Sequence, residues 1–301
     1  MDCGLSAAAS LVLFMNSDLL SLLQSRYPSF SKGGKKISNY ILEFYDKAAF
    51  MTAAKLGKEV GVSESTVVRF ASELGFDGYP AMQKTLREMI LNKLTSVQRM
   101  EVANDRFLDR DIPGMVLQQD IDKIRATMEN LDRNAFHDAV DTIIAAKHIY
   151  ILGVRSSATI AFFMHFYFNY MFDNVRMVNA SSPSEVFEQF ARVEPGDVII
   201  TISYPRYSRS AVRATEYCKK AGAKVIAITD NRRSPVAEFA DILLIAKMDM
   251  VSLVDSLVAP MSLVNALVVA IGQKREAELS RTFSKLEKIW DEYEVYEKVD
   301  S

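Results

Sequence analysis

Apolar positions along the first ninety residues recur every three or four places, the spacing of one helix face. Leu19, Leu20, Leu22 and Leu23 predict a short amphipathic helix over Asp18–Tyr27. The following SFSKGGKK reads as a basic loop. Ile37, Tyr40, Ile41 and Phe44 then place a helix over Ile37–Ala49. Three more helices are predicted over Thr52–Val60, Ser63–Leu74 and Tyr79–Leu94, the second stopped at Gly75 and the third carrying Pro80 in its first turn. Thr95–Gly114 turns polar and charged and ends in Ile-Pro-Gly, the composition of a linker. Helices over Met115–Asn130 and Asn134–Ala146 precede a change of rhythm. From His148 onward, compact Val/Ile/Leu runs alternate with helical stretches: HIYILG, a helix over Ser157–Phe172, VRMVN, DVIITIS, a helix over Ser208–Ala221, KVIAIT, a short helix in SPVAEFA, then DILLIA. Continuous apolar strands parted by helices predict a parallel sheet flanked by helices on both faces. A long apolar helix over Val254–Ile271 and a charged helical tail over Glu276–Tyr296 close the chain.

The pattern therefore predicts an all-α head joined to an α/β body. A chain of 301 residues suits two domains. The expected division is a head over 15–95, a linker over 96–114 and a body over 115–301, with residues 1–14 as an N-terminal extension. The run Leu5–Met15 has the apolarity of a signal core, but Asp2 and the lack of a basic residue before it argue against a secretory signal; a second reading is a natural start at Met15, with the first fourteen residues an extension. No run is long enough to span a membrane.

Net charge is −2, which hides an asymmetry: residues 1–99 hold 12 Lys+Arg against 9 Asp+Glu, and the remainder 24 against 29. A mildly basic head on an acidic body permits nucleic-acid binding by the head. Two cysteines exclude a disulfide framework and point to a reducing cytoplasm. Three histidines without ligand spacing predict no metal, and no cofactor is expected.

Chemistry concentrates at three places. In AKLGKEVGVSESTVVRFASELGF, from Ala54, the apolar residues Leu56, Val60, Val62, Val67 and Phe70 face two short helices into one small core. Gly61 sits in the turn, where a positive φ is cheap, and Ser63 is placed to cap the second helix. That helix then presents Glu64, Ser65, Thr66 and Arg69, short polar side chains plus one long donor, as a helix reading the major groove requires. Thr52 caps the preceding helix, whose first N–H groups suit a phosphate, and Lys55 and Lys58 lie where a DNA backbone would run. A small helical bundle without a nucleic-acid role is the blander alternative.

The second place is IYILGVRSSATIA. Gly153, Arg155, Ser156 and Ser157 fall at a strand's carboxyl end and the start of a helix, where open parallel sheets bind ligands and helix N–H groups suit anions. The third is SYPRYSRS, where Ser203 and Ser208 supply hydroxyls and Arg206 and Arg209 supply forked donors. Both also read as ordinary turns taken singly. The aromatic stripe Phe162–Phe172 reads as core plus subunit interface, His165 and Cys218 as packed residues, and Arg232-Arg233 as a solvated loop.

Ile37–Ile90, with Tyr40-Ile41, GVSESTVVRF from Gly61 and ELGFDGYPAMQKTL from Glu73, resembles the N-terminal helix-turn-helix domain of RpiR-like bacterial transcriptional regulators. Gly153–Ile245, with TDNRRSPVAEFADILL from Thr229, resembles the sugar isomerase (SIS) domain that usually follows it. The resemblance covers nearly all of the chain from Met15. One departure in the head is Gly57, where the family usually has Ala, at a cost in intrinsic helix stability. Another is the second loop, commonly SxSGxTxE: Pro205 and Arg206 replace the second Ser and the Gly, and Ser210 replaces the Glu.

The resemblance implies a transcriptional regulator of carbohydrate metabolism, not an enzyme. It would contact double-stranded operator DNA as a homo-dimer or tetramer, with no membrane role. It would be controlled by a sugar phosphate, or a related sugar acid, near Ser156, Ser157, Ser203 and Ser208. The alternative is a sugar-phosphate isomerase, with Glu185 or Glu188 as the base.

Overall fold

Ser31 accepts a hydrogen bond from the Gly34 N–H at 3.1 Å, and that cap starts a helix inside the stretch expected to be a basic loop. The computed structural model describes residues 19–91, 97, 100, 111–178, 182–248 and 254–297. They fall into two compact units, one from the first 109 residues and one from residue 110 onward. The first unit holds α1 (Leu19–Arg26), α2 (Lys32–Glu43), α3 (Tyr45–Ala48), α4 (Ala53–Val60), α5 (Glu64–Glu73) and α6 (Gly78–Leu91).

The SFSKGGKK segment is thus largely the first turns of α2. Its two glycines are poor helix formers, but packing overrides propensity. A Cβ on Gly34 would already stand 3.2 Å from the Phe30 Cβ and 3.3 Å from the Phe70 ring. The helix expected over Ile37–Ala49 breaks at Phe44 (φ −124°, ψ 46°) into α2 and α3. Leu23, Ile37, Ile41, Leu56, Val67, Phe70 and Met82 form the buried centre. One face of α6 ties down the chain leaving α3: the Tyr79 hydroxyl and Gln83 amide donate to the Met51 carbonyl, and Arg87 Nε donates to that of Ala49. Burial pushes the Tyr79 hydroxyl up to about 12, against the pull of Arg87, so it remains a donor.

The second unit opens with α7 (Ile112–Glu129), capped by Asp111, so the last three residues of the expected linker are helical; residues 101–110 lie outside the described part. There follow α8 (Arg133–Ile144), β1 (Ile149–Gly153), α9 (Ser157–Phe168), β2 (Val175–Val178), α10 (Pro183–Gln189) and β3 (Val198–Ile202). The chain continues through α11 (Arg209–Lys220), β4 (Lys224–Thr229), β5 (Ile242–Ile245), α12 (Val258–Lys274) and α13 (Glu276–Glu292). The aromatic helix ends at Phe168 rather than Phe172, the SPVAEFA segment holds a single 3-10 turn (Ala237–Phe239), and α10 was not foreseen.

All five strands pair in parallel in the order β2-β1-β3-β4-β5. Alternate residues face opposite ways, as the pleat requires. Ile149, Ile151, Val198, Ile200 and Leu244 pack with residues of α8, α9 and α12 on one face. Tyr150, Leu152, Ile199 and Val225 pack with Ala211, Ala214 and Cys218 of α11 and Val186 of α10 on the other. The sheet is therefore covered on both faces, which explains the unbroken apolar runs. Cys218 is buried in the second layer, and burial, with Asp197 adding to it, pushes its thiol up to about 12. None of the described helices is long and apolar enough to cross a membrane.

Candidate functional site

In the first unit, α4 ends on Gly61 (φ 68°), whose left-handed backbone lets the chain turn into α5. The turn comes very close to α4. The Val62 N–H donates to the Gly57 carbonyl at 2.8 Å, and a Cβ on Gly57 would stand 2.8 Å from the Val62 carbonyl oxygen. Gly57 therefore makes room for the turn, a benefit that the propensity argument does not contain.

Both N-terminal caps form as the residues predict: Thr52 accepts from the Lys55 N–H at 3.2 Å and Ser63 from the Thr66 N–H at 3.3 Å. The Ser63 hydroxyl also lies 2.9 Å from that of Ser65 and 2.8 Å from that of Thr66. Glu64, Ser65, Val68 and Arg69 are exposed along one stripe of α5. Thr66 is half-buried and turns its methyl toward α2, where a Cβ on Gly33 would meet it at 3.2 Å. The stripe thus includes Val68, missed because an apolar residue in a helix is read as core, and leaves Thr66 at its border. Lys55 and Lys58 are exposed on α4. Among the described residues, no ion pair involves Lys55, Lys58 or Arg69, whereas the second unit pairs many of its cations, as in Lys147–Glu194, Lys219–Asp241 and Lys274–Asp141.

In the second unit, the strand order reverses between β1 and β3, and such a reversal opens a crevice at the strands' carboxyl ends. The loops predicted to hold an anion leave these two neighbouring strands: Gly153 is opposite Ile202 in the register, so Arg155–Ser157 and Ser203–Arg209 emerge side by side. A Cβ on Gly153 would stand 2.5 Å from the Ser157 carbonyl oxygen and 2.9 Å from the Ala161 Cβ. Gly153 therefore sets α9 tight against β1 and acts by absence of a side chain. Arg155 takes φ 60°, the left-handed region that non-glycine residues rarely adopt, in the turn between β1 and α9.

Ser31, Thr52, Ser63, Asp111, Asp132 and Ser182 all cap their helices through the side chain. Ser156 and Ser208, which precede α9 and α11 at the crevice, do not. The Ser208 hydroxyl is instead 2.8 Å from that of Ser210. The N–H groups opening both helices therefore have no side-chain acceptor from their caps; at α9 those of Ala158 and Thr159 donate to the Arg155 and Ser156 carbonyls at 3.0 and 3.1 Å, so the disposition suited to an anion is the start of α11 with the Ser157 N–H of α9. Ser157 and Ser203 are buried, and Arg155, Ser156, Arg206 and Arg209 are exposed.

A third loop, after β4, adds residues that were not singled out. Tyr207 donates to Asp230 at 2.7 Å, Asn231 donates to the Tyr207 hydroxyl at 3.1 Å, and Lys247 Nζ reaches the Asp230 carbonyl at 3.4 Å. This network ties the second and third loops together. The adjacent Tyr204 hydroxyl is buried without a hydrogen-bond partner among the described residues, and burial, then Asp230 and Tyr207, hold its pKa well above the ordinary tyrosine value. The signal for these residues was their position one strand over, at the same carboxyl edge. Arg232 and Arg233 are exposed, as expected. Glu185 and Glu188 belong to α10, and Glu188 lines a groove of about 300 Å³ with Tyr150, Arg176 and Arg192 beside β2.

These two arrangements coincide with two family matches: a helix-turn-helix domain of the rpiR family over residues 17–93 and a SIS domain over residues 142–270. The chain is thus a helix-turn-helix protein carrying a SIS domain. More particularly, it belongs to the RpiR-like proteins that join these two domains in this order. The HTH-type transcriptional regulator HexR of Escherichia coli (strain K12) is 27% identical over 213 residues, 70% of this chain and 72% of that protein. The sugar isomerase domain of an RpiR transcription factor from Sphaerobacter thermophilus superposes with a TM-score of 0.57 at 26% identity, over 60% of this chain and 99% of that one. Vibrio vulnificus NanR, solved as a complex with ManNAc-6P, shares the fold with a TM-score of 0.56 at 20% identity, over 92% of this chain and 99% of that one.

Proposed function

We propose that this chain is a transcriptional regulator of carbohydrate genes that binds operator DNA through its head and a phosphorylated sugar through its SIS domain. The DNA-contacting role is assigned to residues 15–95 and the effector role to residues 115–301. Ser65, Val68 and Arg69 face base edges, with Val68 suited to a thymine methyl and Arg69 to a guanine. Glu64 borders them, and Thr52, Ser63 and Thr66 hold the two helices in position. Lys55 and Lys58 follow the backbone and give a sequence-independent, salt-sensitive share of the affinity.

The observation that carries the effector reading is the pair of uncapped helix starts at the β1/β3 crevice. A phosphate there accepts from the first N–H groups of α11 and the Ser157 N–H of α9, from the hydroxyls of Ser156, Ser157, Ser203 and Ser208, and from Arg155, Arg206 and Arg209, while the Ala158 and Thr159 N–H groups are taken by the Arg155 and Ser156 carbonyls. The ligand of NanR is a sugar phosphate, and the relatives carry regulator names, which supports a sensing rather than a catalytic site. Ser210 stands where the commoner loop has Glu, and its hydroxyl is held by Ser208, which removes one candidate base. The protein acts in the cytoplasm as a homo-oligomer, and the exposed Phe162 and Phe166 of α9 supply apolar surface for subunit contact.

Pro205 has no N–H, so the second loop offers fewer backbone donors and relies on arginine, which favours a sugar acid as the second reading. Thermal unfolding against a panel of sugar phosphates, sugar acids and free sugars separates the two. A ligand at 100 times its dissociation constant adds about 2.7 kcal/mol to the folded state, a shift of several degrees. The expected result is a shift by one sugar phosphate and none by its free sugar. A shift by a sugar acid alone refutes the phosphate reading, and conversion of an aldose phosphate to a ketose refutes the non-enzymatic one.

A further inference from the structure

The start of α2 lies against the reading helix. A Cβ on Gly33 would stand 3.2 Å from the methyl of Thr66 on α5 and 3.7 Å from the Cγ1 of Val62 in the turn. A Cβ on Gly61, at the turn itself, would stand 3.6 Å from the Nζ of Lys36. The first turns of α2 therefore flank the helix-turn-helix at the end where α5 begins, and Gly33 permits that approach by having no side chain.

This segment carries three lysines, and the structure separates their roles. Lys35 is half-buried and holds its ammonium over the Tyr27 ring, 5.7 Å from the centroid. Lys32 and Lys36 are exposed. Being four residues apart, they share one helix face, about 6 Å apart along the axis. Among the described residues no carboxylate forms an ion pair with either. Two neighbouring cations left unneutralised beside a groove-reading helix repel one another, and a polyanion relieves that repulsion.

We propose that Lys32 and Lys36 form a phosphate clamp on the DNA strand bordering the groove that α5 enters. The clamp rests on the reading of the head as a DNA-binding domain and adds a surface outside the two helices of the motif. Its contacts are to phosphate, so it sets affinity and register and carries no sequence preference. Each phosphate contact contributes about 0.9 to the slope of log affinity against log salt, so the pair contributes about 1.8 for each head in contact.

The test uses the full-length protein and a fluorescent mixed-sequence duplex of about 30 base pairs, titrated from 50 to 200 mM salt. The variants are Lys32→Ala/Lys36→Ala, Lys32→Gln/Lys36→Gln, Lys32→Arg/Lys36→Arg and a charge-matched control in the other unit, Lys285→Ala/Lys288→Ala. Both neutral pairs are expected to bind more weakly at 50 mM. Their loss of affinity over the fourfold salt range should be about twelvefold smaller per bound head than in wild type. The arginine pair and the control are expected to keep the wild-type slope. Wild-type slope in both neutral pairs, with melting unchanged, overturns the clamp and leaves the DNA-binding reading standing. Absence of any salt-dependent binding by wild type overturns both.

Discussion

At the scale of single residues, glycine does different work at different places. Gly57 is the clearest case. By helix propensity alone, Gly57→Ala adds about 1 kcal/mol of stability. In the folded head the new methyl meets the Val62 carbonyl oxygen at 2.8 Å, and that oxygen belongs to a backbone turn already held by the Val62–Gly57 hydrogen bond. The forced shift costs about 1–3 kcal/mol, which outweighs the propensity gain, so the expected outcome is a lower melting temperature with a net loss of up to about 2 kcal/mol. A rise on thermal denaturation would show that the turn gives way without cost. The caps at Thr52 and Ser63 and the turn at Gly61 were legible in the sequence because each depends on the residue itself and its nearest neighbours. Val68 and the inward turn of Thr66 were not, because which side of α5 meets α2 is decided by Gly33, some thirty residues earlier.

At the scale of elements, local signals and tertiary packing divide the outcome in the same way. The strand-helix alternation from His148 announced the sheet, because a parallel sheet buried on both faces leaves unbroken apolar runs. The start of α2 was hidden by two glycines whose weak propensity is offset by packing on Phe30, Phe70 and Thr66. The signal for α10 was present and unread: Ser182, Pro183 and Glu185 form a helix-start signature, and Ser182 caps the Glu185 N–H at 3.4 Å. The edge of the sheet offers a test of pairing between elements. Asp241, just before β5, accepts from the Val225 N–H at 2.9 Å and from Lys219 at 2.5 Å. Burial works against its charge, but Lys219, the Val225 N–H and Lys224 outweigh it and hold the carboxyl below the ordinary aspartate value. A depressed folded value means that the stabilisation is present above the unfolded pKa and is lost as pH falls through the folded one. Asp241→Ala is expected to cost about 1–3 kcal/mol at neutral pH, since it strands the Val225 N–H. The gap between wild type and variant should close as pH drops below about 4 in denaturant titrations. A gap that is constant with pH would remove the charge from the account.

At the scale of the whole molecule, the two units carry separable chemistries. Among the described residues, Lys55, Lys58 and Arg69 of the head form no ion pair, while the SIS domain pairs Lys147, Lys219, Lys220 and Lys274 with carboxylates. That division was only faintly legible as the charge asymmetry between residues 1–99 and the rest, because composition counts charges without showing which are already neutralised. The crevice was legible down to its two loops, since strand ends preceding serine-rich helix starts are local features. The tie from Tyr207 to Asp230 and Asn231 depends on strand order, which no local pattern contains. Regulation requires that a ligand in the crevice favour one arrangement of the heads over another, because equal binding to both shifts nothing. The most direct measurement of that claim is selection of sheared genomic DNA from the source organism by the full-length protein, sequenced with and without each sugar phosphate. The expected result is recovery of a few fragments sharing an inverted repeat, with half-sites about one helical turn apart or a multiple of it, and a change in that recovery with one sugar phosphate but not its free sugar. Recovery in proportion to genome content, or enrichment indifferent to every phosphorylated sugar, would contradict it.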